Sequence, residues 1–192
     1  LDKDGNIFTT GYAETDYPTP TGAFDRTYNY GIGDVFITKL DPTGSSLVYS
    51  TYIGGNDYDC GLSITIDTNG CSYVTGFIKS KDFPIINGSF DTTQNGDFDA
   101  FITKINNTGS SIILSTYLGG EGSDYGKGIA IDTSENIIIT GNTNSSNYPV
   151  SNNAYDNTYN GNWMDAFLTK LDSNVSFLLF STFIGGTKMD YS

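Results

Sequence analysis

Aspartates recur at fixed places along this 192-residue chain. Asp2, Asp67 and Asp132 precede turn residues. Asp34, Asp99 and Asp165 open a shared motif, and Asp59, Asp124 and Asp190 follow a Gly-Gly pair. Carboxylates in this number could form rings of hard oxygen ligands for Ca²⁺. The segment Asp2-Lys-Asp-Gly-Asn6 looks most like a calcium loop, with Asp2, Asp4 and Asn6 as candidate ligands. It departs from the EF-hand pattern, because glycine falls at its fourth position and Ala13 at its twelfth. The plainer reading is that the aspartates hydrogen-bond turns and strand ends. Threefold recurrence favours that reading. Lys39, Lys104 and Lys170 recur as well and are expected either to pair with a nearby carboxylate such as the recurrent aspartate or to be solvated. Paired acids could also serve a glycosidase or lyase. A catalytic pair, however, would cluster once and not reappear by structural position. A non-enzymatic chain is expected, with Ca²⁺ as the one cofactor to consider.

Aromatic residues supply the second set. Three long segments, from about Tyr12 to Gly33, Phe77 to Phe98 and Asn142 to Met164, are rich in them. Tyr17, Phe83 and Tyr148 recur before proline, or in step with it, and read as plugs on their own unit. So do Phe24, Phe90 and Tyr155. Tyr28, Tyr30, Tyr159 and Trp163 vary between units and are the candidate contacts for glycans or protein partners. Asn87, Asn106, Asn144 and Asn174 each open an Asn-x-Ser/Thr acceptor pattern for N-glycans.

Other chemistries are excluded. There is no histidine, which removes Ser-His-Asp and Cys-His catalysis and the usual zinc sites. A net charge of −13 opposes binding to nucleic acid or anionic lipid. No run approaches the length of an apolar membrane helix. The cysteines, Cys60 and Cys71, are ten residues apart, yet a hairpin turn over 67–70 makes 66 face 71 and 60 face about 77. That separates them by about 20 Å along the strands, and no intrachain disulfide is expected.

The elements that must carry these residues come from an internal repeat. Asp34-Val-Phe-Ile-Thr-Lys39 returns as Asp99-Ala-Phe-Ile-Thr-Lys104 and Asp165-Ala-Phe-Leu-Thr-Lys170. Ser50-Thr-Tyr-Ile-Gly-Gly55 returns as Ser115-Thr-Tyr-Leu-Gly-Gly120 and Ser181-Thr-Phe-Ile-Gly-Gly186. Each unit spans about 65 residues and reads as four short strands rich in Ile, Val, Phe, Tyr and Thr. Asp67-Thr-Asn-Gly70 and Asp41-Pro-Thr-Gly44 are turn chemistry. No stretch keeps a helical period. Four antiparallel strands per tandem unit predict an all-β, propeller-like fold of three blades, with a β-solenoid as the alternative. The expected units are 1–58, truncated at its start, 59–123 and 124–189, with 190–192 opening a further one.

The run Gly-Ile-Ala-Ile-Asp132, Ile-Ile-Ile-Thr-Gly141, Tyr148-Pro, Asp165-Ala-Phe-Leu-Thr-Lys-Leu171 and Phe180-Ser-Thr-Phe-Ile-Gly-Gly186 resembles the SBBP beta-propeller repeat family. Cys60 and Cys71 depart from its pattern, standing where other units have Tyr125 and Asn136. The resemblance implies long secreted or surface proteins with many repeats in a row, and no family catalytic set. The expected role is an extracellular structural or adhesive scaffold that binds itself or other surface proteins and glycans. A carbohydrate-binding module is the alternative. The sequence starts and stops at nearly the same point of the repeat. That fits either an excerpt from a longer array, the favoured reading, or chains that join head to tail.

Overall fold

The computed structural model describes every residue from 1 to 192 except Asn162, Thr187, Met189 and Tyr191. Eleven strands form three separate antiparallel sheets, and no helix occurs among the described residues. The first sheet orders β1 (Ile7–Ala13), β2 (Asp34–Leu40) and β3 (Leu47–Ile53). The second orders β4 (Asp59–Ile66), β5 (Ser72–Ile78), β6 (Asp99–Ile105) and β7 (Ile112–Leu118). The third runs through β8 (Asp124–Ile131), β9 (Ile137–Thr143), β10 (Asp165–Leu171) and β11 (Leu178–Ile184). These are the expected blades, one with three strands and two with four, and they do not close into a ring.

Turn chemistry sets each hairpin. Between β4 and β5, Asp67 Oδ1 accepts the N–H groups of Asn69 and Cys71, both at 2.9 Å. Gly70 takes a φ of +80°, which costs glycine nothing. Between β6 and β7, Asn106 Oδ1 accepts Ser110 N–H, and Gly109 is left-handed at +69°. The sheets then stack face on face. One core layer joins the first and second blades through Ile37, Tyr49, Val74, Phe83, Phe101 and Tyr117. A second joins the second and third through Tyr73, Ile102, Leu114, Ile139, Tyr148 and Phe167. Alternation along the strands of the second sheet feeds both layers, so this middle sheet is covered on both faces.

One register expectation needs correction. Cys60 does face Phe77, but Ile66 faces Ser72 and not Cys71. The strand carries one extra residue, Leu62, in a bulge between Gly61 and Ser63, and the same shift recurs between Gly126 and Gly128. Both cysteines are buried and free.

Candidate functional site

The repeated aspartates divide into two structural kinds. Asp2, Asp67 and Asp132 are turn anchors. Asp2 Oδ1 accepts the N–H groups of Asp4 and Asn6, while Oδ2 accepts Asn6 Nδ2 at 2.8 Å and pairs with Lys39 Nζ at 3.0 Å. Lys104 pairs with Asp67 at 3.1 Å and Lys170 with Asp132 at 2.7 Å. The recurrent lysines therefore meet the recurrent aspartates, as their spacing suggested. Burial pushes the Asp2 carboxyl up, but hydrogen bonds from Asn6 and Lys39 outweigh it and hold the group well below the usual range. Asp2, Asp4 and Asn6 thus share one turn in which the Asp2 oxygens face donors of the chain itself. Among the described residues, no three His, Cys, Asp or Glu side chains gather as metal ligands.

The other six sit where one blade passes to the next. Asp34, Asp59, Asp99, Asp124 and Asp165 are almost wholly buried. A point one bond out from the α-carbon of Gly119 lies 2.7 Å from Asp124 Oδ2 and 3.0 Å from Asp99 Oδ1, so two carboxyls flank one glycine. Gly185 is flanked in the same way by Asp165 and Asp190. Asp59 Oδ2 accepts Gly55 N–H and Asp124 Oδ2 accepts Gly120 N–H. None of the five buried carboxylates enters an ion pair among the described residues. Burial, reinforced by neighbouring Asp59, Asp25 and Asp82, raises Asp34 to about 7 despite the Asn29 N–H that it accepts. Burial and Asp124 raise Asp99 to about 7, and burial raises Asp59 to about 6. The sequence placed Asp34, Asp99 and Asp165 at strand starts and Asp59, Asp124 and Asp190 after the Gly-Gly, but did not set them beside each other. The signal was there: each pair brackets the same Gly-Gly corner.

The aromatic candidates do not converge. Tyr28 and Tyr30 share the loop of the first blade, with ring centroids 6.3 Å apart. Tyr159 and Trp163 share the loop of the third. Tyr159 is half-buried against Phe183, whereas Trp163 is exposed. Phe83 and Tyr148 are plugs as expected, and Tyr17 packs on Phe36. Tyr155 is not. It is 92% exposed, and Phe24 is 38% exposed, both against the expectation of a plug. The reason lies in its counterparts, which reach outward to the next blade. Phe24 N–H donates to Gly109 O at 2.8 Å and Phe90 N–H to Val175 O at 2.6 Å. Tyr155 stands on the outer blade and has no such neighbour.

The N-glycan candidates are unequal. Asn87, Asn144 and Asn174 are exposed, while Asn106 is half-buried with its amide committed to its turn.

Sequence reasoning missed a surface. Ile37 and Ile102 are fully buried and Tyr49 and Leu114 nearly so, each under the following blade. Their counterparts on the third blade are more open: Leu168 is half-buried and Phe180 is 40% exposed. A hollow of about 280 Å³ lies on this face, lined by Gly128, Ile129, Ala130, Ile138, Thr140 and Leu168. Thr140 Oγ1 donates to Phe167 O, just as Thr10 bonds Phe36 O and Thr75 bonds Phe101 O. Thr10 and Thr75 each receive a glycine of the following inner strand. A Cβ on Gly61 or Gly126 would fall within 2.2 Å of the threonine hydroxyl. Lining up the units for buried and exposed positions would have found this face.

No curated protein matches the chain. A family model described as the beta-propeller repeat, SBBP, matches residues 48–84 and 115–149. Each match begins in the last strand of one blade and runs through the inner hairpin of the next, so it covers the Gly-Gly corner and the junction carboxyl at the start of the inner strand. The chain thus matches the SBBP beta-propeller repeat over residues 48–84 and 115–149, and its three antiparallel sheets are consistent with propeller-like blades.

Proposed function

We propose that the chain is a non-enzymatic scaffold module that assembles by stacking blade on blade, with a second copy covering the outer face of the third sheet. The observation that carries this is the uncovered face itself. It repeats the docking features of the two covered faces: an apolar centre at Ile138, Leu168 and Phe180, a bonded threonine at Thr140, and, at Tyr155, the loop position whose backbone N–H bonds the next blade in the other units. Large apolar side chains left together in water favour association. An extracellular or cell-surface setting accords with the family resemblance and with the exposed Asn-x-Ser/Thr patterns. The test is absolute mass by light scattering from micromolar to millimolar concentration. The parent is expected to rise above 20.7 kDa with concentration, and Leu168→Glu to stay monomeric. A parent that remains monomeric throughout overturns the reading.

A further inference from the structure

We propose that the loop of the first blade is a carbohydrate-binding cleft, independent of blade stacking, that takes one or two neutral pyranose rings. A hollow of about 560 Å³ opens between Asp16, Tyr17, Arg26, Tyr28, Tyr30 and Tyr52. That volume falls within the range of small-ligand sites. Its floor is held rigid. Tyr52 is buried and donates its hydroxyl to Glu14 O, Tyr17 N–H donates to Tyr52 Oη, and Tyr17 Oη is bonded to Thr38 Oγ1 at 2.7 Å. Tyr28 Oη donates to Gly31 O at 2.7 Å, which fixes one wall.

Tyr30 forms the other wall and carries the argument. Its ring is 75% exposed, and its backbone is left-handed at φ +84°. In the third blade, whose loop keeps the same spacing from Tyr148 to Asp165 as Tyr17 to Asp34, the matching residue is Gly161 at φ +55°. Glycine meets this backbone without strain, so the fold alone asks for glycine here. Asp16, which also lines the hollow, is left-handed at φ +67°. Two of the four non-glycine residues with positive φ among those described therefore border one hollow. Strain gathered at one place marks a site when the strained side chains face a ligand.

The chemistry selects a sugar. A pyranose has an apolar face of C–H bonds, which packs on a tyrosine ring, and a rim of hydroxyls that both donate and accept. Arg26 is the only arginine in the chain, and its counterparts in the other loops are Thr92 and Asn157. Its Nε donates to Thr19 O at 3.2 Å, and its guanidinium enters none of the ion pairs among the described residues. Arg26 supplies donors and Asp16 acceptors at one rim. A net charge of −13 turns away polyanionic sugars and favours neutral ones.

The test follows amide resonances while neutral trisaccharides of glucose, mannose, galactose and N-acetylglucosamine are added. At least one is expected to shift Thr15–Tyr30 and Tyr52. Tyr30→Gly should weaken that binding by about tenfold or more while raising the melting temperature, because strain is relieved as the contact is lost. Arg26→Gln should weaken binding with no change in melting temperature, and Tyr155→Ala should leave it intact. No shift with any of the sugars, binding that survives Tyr30→Gly, or a melting temperature that falls in Tyr30→Gly overturns the proposal. So does a proline-rich peptide that shifts these amides where no sugar does.

Discussion

At the residue scale the molecule uses one amino acid in two opposite ways. Asp2, Asp67 and Asp132 each face a lysine and several N–H donors, whereas Asp34, Asp59 and Asp99 are buried beside other acids. The two sets pull stability in opposite directions with pH. Asp34 and Asp99 titrate at about 7 and Asp59 at about 6 when folded, and near 3.8 when unfolded. The folded chain then binds more protons than the unfolded chain between those values. Their stabilisation is fully present below about pH 4 and is lost as pH rises to 7. Asp2 and Asp132 are held below the usual range, so their stabilisation is present above about pH 4 and lost in stronger acid. The melting temperature is expected to peak in mild acid and fall towards pH 8, with a shallower fall in Asp99→Asn, read by thermal scans across pH. The lysines give a second prediction at this scale. Lys104→Ala strands a carboxylate whose side chain is only 1% exposed and should cost about 3 kcal/mol. Lys170→Ala, at a half-open pair, should cost distinctly less in the same denaturant titration. The pairing was legible in the sequence because both partners recur with one period. The carboxyl pairs were not, since they join residues about 25 apart across a blade boundary that spacing alone does not locate.

At the element scale nearly every strand could be read from composition and turn residues. The third and fourth strands of each unit match within a residue or two, because Asp-x-Phe-x-Thr-Lys and Ser-Thr-x-x-Gly-Gly alternate cleanly between the two core layers. The inner strands begin ahead of the apolar runs that start at Gly61 and Gly128. Each begins with a buried aspartate, Asp59 or Asp124, that polarity argues against placing in a strand. The bulge at Leu62 was hidden for a different reason: a single unpaired residue leaves the pattern of apolar positions almost unchanged. Its glycines show what the bulge accommodates. A Cβ on Gly76 would lie 1.9 Å from Cys60 O, whereas one on Gly88 would meet nothing within 4 Å. Gly76→Ala should therefore cost at least about 2 kcal/mol by forcing the hairpin apart. Gly88→Ala should cost only about 1 kcal/mol, through its φ of +89°. Chemical denaturation of the two variants separates steric from conformational cost.

At the scale of the whole molecule, three blades of one design are joined by two nearly identical interfaces. Each has an apolar layer, a glycine set against a threonine, a carboxyl pair at the Gly-Gly corner and a backbone bond from the loop (Phe24 or Phe90 N–H) to the next blade. The third blade presents the same features to solvent. The blade count and fold class were legible because a tandem repeat states its own unit. What covers the third face was not, because exposure depends on the neighbour and not on the strand. The most direct measurement is a set of methyl NMR spectra recorded from micromolar to millimolar chain. If the face docks a second copy, the Leu168 and Ile138 methyl signals shift with concentration while those of Ile37 and Ile102, already covered, stay fixed. If the Leu168 and Ile138 signals hold still over the whole range, the stacking account is contradicted.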